Sequence, residues 1–157
     1  ILQKVFTNLP TIRLTIFSFL ALLGVIFGAS LITSSYQKEL RKIEINGVSV
    51  FAEVAADSDA RRLGLSGREK LAVNSGMLFV FERPDYYGIW MKGMKFPLDI
   101  IWLNRGRVVY IVRNALPDNS YQPAVYNPTF DADSALELRA GEVRRLGIKT
   151  GDILSWE

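Results

Sequence analysis

From Leu14 to Ile32 the chain reads LTIFSFLALLGVIFGASLI, 19 residues without a charge. As a helix rising 1.5 Å per residue this run is about 28 Å long, close to the thickness of the bilayer's hydrocarbon layer. Thr15, Ser18 and Ser30 suit such a helix, since their hydroxyls can bond to the preceding turn. Gly24 and Gly28 form a GxxxG spacing that permits close helix pairing, though apolar segments carry it by chance as well. The pattern predicts a retained single-pass anchor in residues 1–35. A cleaved signal ending near Gly28-Ala29-Ser30 is the competing reading, and a buried soluble helix the third.

After a basic linker at 36–42, the pattern switches to short alternating or fully apolar runs separated by turn residues. Ile43, Ile45, Val48, Val50, Ala52 and Val54 recur with period two around Asn46-Gly47, which predicts a hairpin with a type I′ turn. Asp57 or Ser58 caps a short helix that Gly64 ends, and Ser66 with Glu69 has the spacing of a second cap. Gly76–Phe81 is a continuous apolar run, as expected of a strand buried on both faces. Glu82–Tyr86, with Pro84, reads as a turn, and Tyr87–Met91 as a strand. Pro97–Leu103 and the run after Arg107 flank Asn104-Arg105-Gly106 as a second hairpin. Asn114–Pro128 contains Pro117, Pro123 and Pro128, so it reads as a long loop. Ala135–Arg139 alternates as a strand, Glu142–Leu146 is one helical turn, and the segment from Gly151 to Trp156 is a final strand.

Strands dominate, and no amphipathic stretch of helix length separates successive ones. The expected fold of residues 43–157 is therefore mostly β: a compact antiparallel barrel-like or sandwich domain with two short helices, preceded by one transmembrane helix.

Composition narrows the chemistry. The chain has no Cys and no His, which excludes disulfides, thiol nucleophiles, imidazole bases and the soft metal ligands. A carboxylate-only Mg²⁺ or Ca²⁺ site stays open in principle. Asp131 and Asp133 have a spacing found in Ca²⁺ loops, but the central Gly and terminal Glu are missing, so no metal and no cofactor is expected. The net charge of +3 is uneven. Lys4 and Arg13 precede the apolar run and Lys38, Arg41 and Lys42 follow it, while from Ile43 to Glu157 there are 14 Lys and Arg against 15 Asp and Glu. A nearly neutral globular part gives no nucleic-acid footprint. Arg61-Arg62 and Arg144-Arg145 read as solvated helix faces. The flanking charges lean slightly towards an internal domain.

Several pieces together resemble the DUF192 family of small domains of uncharacterised function. The likeness runs from Ala55-Ala56-Asp57 to the C-terminus through Arg62-Leu63-Gly64-Leu65, Gly76–Phe81, Trp90-Met91-Lys92 and Pro97-Leu98-Asp99-Ile100-Ile101. It continues through Asn114-Ala115 with Pro117, Leu136-Glu137-Leu138 with Ala140-Gly141, and Leu146-Gly147-Ile148 with Gly151-Asp152. Two departures stand out: Gly93-Met94 where the family usually has Asn-Thr, and Ser66 where it usually has Met. The resemblance implies a mostly β fold and supplies no activity. It includes relatives with N-terminal export or anchor segments, which implies an extracytoplasmic domain against the charge count.

Trp90 and Lys92 share a strand face, and Asp99 sits among Pro97, Leu98, Ile100 and Ile101, where a carboxylate needs a partner. A Lys92–Asp99 pair beside Trp90 would make a polar pocket for a small polar ligand or an envelope polymer end. The plainer reading is a structural ion pair, or an Asp bonded to backbone N–H groups. Asn114 and Tyr121, with Tyr126, lie on or near the Pro-rich loop, which either covers a pocket or caps a barrel end. Glu82 completes a conceivable carboxylate pair with Asp99. The leading expectation is a non-catalytic binding or accessory domain, held to membrane lipid through residues 14–32. A structural or assembly module, with homo-oligomers, is the first alternative. A hydrolase or lyase using Asp99, Glu82 and Lys92 is the second.

Overall fold

The computed structural model describes residues 39–156. The expected anchor and most of the linker lie outside the described residues, among which no helix is long and apolar enough to cross a membrane. The end of the linker belongs to the fold, because strand β1 spans Leu40–Ile45.

Strand β2 (Val48–Ala55) follows through Asn46 and Gly47, whose φ angles of 48° and 80° match the predicted hairpin turn. Helix α1 (Ser58–Leu63) is capped by Asp57, whose carboxylate accepts from the N–H groups of Asp59 and Ala60, and it ends at Gly64. Strand β3 (Ser75–Asp85) runs on through Pro84, where a turn was expected. Its ladder is interrupted between Val80 and Asp85, so Pro84's missing N–H costs no ladder bond. Then come β4 (Ile89–Trp90), β5 (Leu98–Asn104), β6 (Arg107–Ala115), β7 (Val125–Tyr126), β8 (Ala132–Arg139), helix α2 (Glu142–Arg145) and β9 (Ser155–Trp156). Ser66 caps no helix; its hydroxyl donates to the Lys92 carbonyl at 2.8 Å.

Seven strands form one sheet in the order β6-β5-β8-β3-β2-β1-β9, and β4 pairs with β7 in a small second sheet. The barrel expectation is wrong, and the mostly antiparallel sheet is mixed, with one parallel pair. After β2 the chain crosses over through α1 and returns as β3 parallel to β2, with Ala52 opposite Gly76. The sheet then stays open between β6 and β9. The last segment meets β6 through one isolated bridge, Arg107 to Ile153, and through backbone bonds of Gly106 and Val108 to Gly151, Asp152 and Leu154, without forming a ladder.

Both faces of the sheet are covered, each by its own apolar cluster. Ile101 and Leu103 of β5, Leu136 and Leu138 of β8 and Leu78 of β3 pack with Val143, Leu146 and Ile148 around α2. The alternate residues Leu98, Ile100, Trp102, Ala135, Met77 and Phe79 face the other way, against Leu65, Ile89, Met91 and Met94. The period-two alternation of the strands sorts these residues between the two layers.

Candidate functional site

The second layer is incompletely filled. Between α1, the β3 surface, β4 and the end of β7 lies a cavity of about 500 Å³, within the range of small-molecule sites. Leu63, Leu65, Phe79, Phe81, Ile89 and Met94 supply apolar walls, and Tyr87 and Trp90 add aromatic surface. The Phe81 and Tyr87 rings stack with centroids 3.8 Å apart. Gly88 lets β7 pass close by, since a Cβ there would lie 2.4 Å from Val125 Cγ1 and 2.5 Å from Asn127 Oδ1.

The polar groups are few. Arg61 and Arg62 stand on α1 at the cavity; Arg62 is the solvated helix-face charge expected, and Arg61 is half-buried. Arg61 is anchored by donating to the Ala56 and Val80 carbonyls, and Arg62 pairs with Asp59. Opposite them, Glu137 of β8 lines the cavity with only 4 % of its surface exposed. In the ladders it stands opposite Met77 of β3 and Ile100 of β5, two apolar neighbours. Burial pushes its carboxyl up to about 8, against a smaller opposing pull from Arg68. Arg68 is itself committed to Glu53, with two bonds of 2.6 Å. Among the described residues no hydrogen bond or ion pair reaches the Glu137 carboxyl group.

Sequence reasoning placed Glu137 only as part of a family motif. The strand alternation Ala135–Arg139 would turn it outward with Arg139. Its signal is the company it keeps: a lone acid between Leu136 and Leu138, in a strand that the fold inserts between two apolar strands.

Of the residues singled out from sequence, Trp90 lines the cavity and Lys92, Asp99, Asn114 and Tyr121 do not. Lys92 is exposed and lies over the Trp90 ring, 5.9 Å from its centroid. Asp99 is buried on the opposite face of the sheet. Its carboxylate accepts from the N–H groups of Asn114, Gly141 and Val143, each at 2.9 Å, tying β5 to the end of β6 and to the start of α2. Among the described residues no ion pair joins Lys92 to Asp99; the two belong to different layers. Asn114 takes part through its backbone, with a left-handed φ of 56°. Tyr121 is 96 % exposed on the loop, and Tyr126 in β7 pairs with Ile89. Glu82 is exposed on β3, and the structure does not bring it together with Asp99 and Lys92. Among the described residues no group of three His, Cys, Asp or Glu side chains is placed to hold a metal ion.

The departures from the family pattern meet in space. A Cβ on Gly93 would lie 3.1 Å from Ser66 Cβ, and Ser66 and Met94 both line the cavity.

The DUF192 family model, described as an uncharacterized ACR, matches residues 41–156, so β1 and β2 belong to the family's domain as well. The chain is similar to a putative transcription regulator from Sinorhizobium meliloti 1021. That crystal structure is 33% identical with a TM-score of 0.69, and the match covers 78% of this chain and 95% of that one. It is also similar to a protein of unknown function from Novosphingobium aromaticivorans DSM 12444, 31% identical with a TM-score of 0.67, over 79% of this chain and 89% of that one. No curated protein matches the chain. Both cores lie within the described residues, and the Sinorhizobium protein consists of little more than the matched region. Residues 39–156 lie in one compact unit, which holds both cores.

Proposed function

The chain belongs to the DUF192 family, and we propose that it works as a non-catalytic binding or accessory domain whose ligand enters the cavity beside Trp90. The observation that carries this reading is the cavity itself: about 500 Å³ of unfilled, largely apolar space with an unpartnered buried carboxyl group. Such a space weakens packing unless something occupies it. Asp99 is fully engaged in holding backbone, and Glu82 and Lys92 are exposed elsewhere, so a hydrolase or lyase built on the three has little behind it. An assembly role rests on scattered exposed apolar side chains such as Tyr121 and Phe130 and on the open edges of the sheet.

The regulator description of the Sinorhizobium relative would call for a nucleic-acid or protein contact. With 14 basic against 15 acidic side chains over residues 43–157, nucleic acid stays outside this proposal. In the same reading, residues 14–32 hold the domain to a membrane, and the domain faces the extracytoplasmic side.

Fragment screening by amide chemical shifts on residues 39–157 tests the pocket. Hits should cluster at Leu65, Phe79, Trp90 and Glu137; hits that avoid these residues would refute it. Protease added to intact cells tests sidedness. Digestion of the domain is expected, and cleavage only after lysis would overturn the outward placement.

A further inference from the structure

A row of cross-strand neighbours on the cavity face runs Glu53, Met77, Glu137, Ile100 through β2, β3, β8 and β5. Arg68 stands by this row with both its donor arms on Glu53. It lends Glu137 some field but no hydrogen bond. No enclosed side-chain polar atom among the described residues is left without a partner, so the Glu137 carboxyl opens on the cavity it lines.

Two charge states of a ligand could meet this group. An ammonium would draw the proton off Glu137 and form a buried ion pair. A neutral oxygen would accept the proton's hydrogen bond. The surroundings favour the second. Arg61 lines the cavity with no carboxylate partner among the described residues, whereas Arg62 is paired with Asp59. Arg68 near the floor is neutralised by Glu53 and acts on Glu137 only weakly. Of the other charged or titratable groups on the elements around Glu137, Glu53 is bound by Arg68 and Asp59 by Arg62, Asp99 lies on the opposite face, Asp133 accepts from the Arg105 N–H, Glu82, Arg83 and Asp85 are exposed at the end of β3, and Tyr87 lines the cavity. Arg139, on Glu137's own strand, is engaged with Glu142. A deep ammonium would meet the Arg61 charge while ionising an acid whose burial opposes ionisation.

We infer that Glu137 serves as a neutral acid at the floor of the pocket, donating its O–H to a carbonyl-type oxygen at the buried end of an apolar, non-cationic ligand. This rests on the cavity being a binding site. The arrangement resembles other sites in which a carboxylic acid is kept protonated so that it can donate. It also makes binding pH-dependent: the donor disappears once Glu137 ionises, above about pH 8.

The test uses three probes of one shape on residues 39–157: acetylnaphthalene, ethylnaphthalene and naphthylethylamine, substituted at the same ring position. Calorimetry or chemical-shift titration at about pH 6 should give the ketone roughly tenfold tighter binding than the hydrocarbon and the amine. The ketone's advantage should fade in the wild type above about pH 8. In Glu137→Gln, whose amide still donates, it should persist across the same range. If the amine binds best and Glu137→Gln abolishes that preference, the inference is overturned and the pocket stands. If all three bind alike, Glu137 has no part in recognition and again only the inference falls. If none binds, the pocket reading itself fails.

Discussion

Replacing Glu137 with Gln isolates the cost of keeping an acid inside this fold. In the unfolded chain the carboxyl ionises near its ordinary value of 4.5, and in the folded state at about 8. The folded state therefore holds a proton that the unfolded state releases across that interval. The stability contributed by keeping Glu137 protonated is complete below about pH 4.5, falls as pH rises, and is gone above about pH 8. At ~1.4 kcal/mol for each pH unit, the difference comes to ~5 kcal/mol. This is an upper bound, because water entering the cavity solvates the carboxylate in part. Gln fills the same volume and does not titrate. Urea unfolding of residues 39–157 as wild type and variant should give similar midpoints at about pH 5. By about pH 8.5 the variant should be more stable by several kcal/mol. Glu142 is held below the usual carboxylate range by its hydrogen bonds from Arg145; it titrates on the acid side in both proteins, so its effect cancels in the difference. Parallel stability curves for the two proteins from pH 5 to pH 8.5 would refute the assignment of Glu137 as a buried neutral acid.

Two further substitutions probe the scaffold. Asp99→Asn leaves one acceptor oxygen where two now serve three N–H groups and turns a donor towards them, so a loss of about 3 kcal/mol is expected by urea unfolding, with probe binding in the cavity unchanged. Lowered probe affinity at undiminished stability would instead assign Asp99 to the site. Gly76→Ala would place a methyl group 2.6 Å from the Glu137 carbonyl oxygen and 2.9 Å from Leu138 Cδ2. It should force β3 from β8 at a cost of about 1–3 kcal/mol, and an unchanged Tm would show that the two strands have room to spare.

Much of the local structure was legible along the chain. Asn46-Gly47 and the Gly-containing Asn104-Arg105-Gly106 mark tight hairpins because such turns need positive φ, which Asn and Gly adopt most readily. Asp57 and Gly64 mark the ends of α1 because their side-chain and backbone requirements are local. The apolar run Gly76–Phe81 announced a strand covered on both sides, and β3 has one core on each face. The apolar segment 14–32 is equally plain as a pattern, and the structure's described residues do not bear on it.

What sequence patterning could not supply was which strands are neighbours. The parallel pairing of β2 with β3 depends on the path of a crossover and carries no alternation signature of its own, so the sheet was expected to close when it stays open. The site followed the same rule. Asp99 drew notice because its apolar neighbours in sequence made a charge costly, and its three N–H partners come from residues that only the fold brings near. Glu137 drew none, because Ala135–Arg139 alternates like a strand with one wet face. Only the insertion of β8 between β3 and β5, with α1 and β4 laid over that face, turns this position from solvent into the floor of a cavity. Periodicity sets which residues share a face; what covers the face, and so whether a carboxyl there is an ordinary surface charge or a buried acid, is decided by tertiary structure alone.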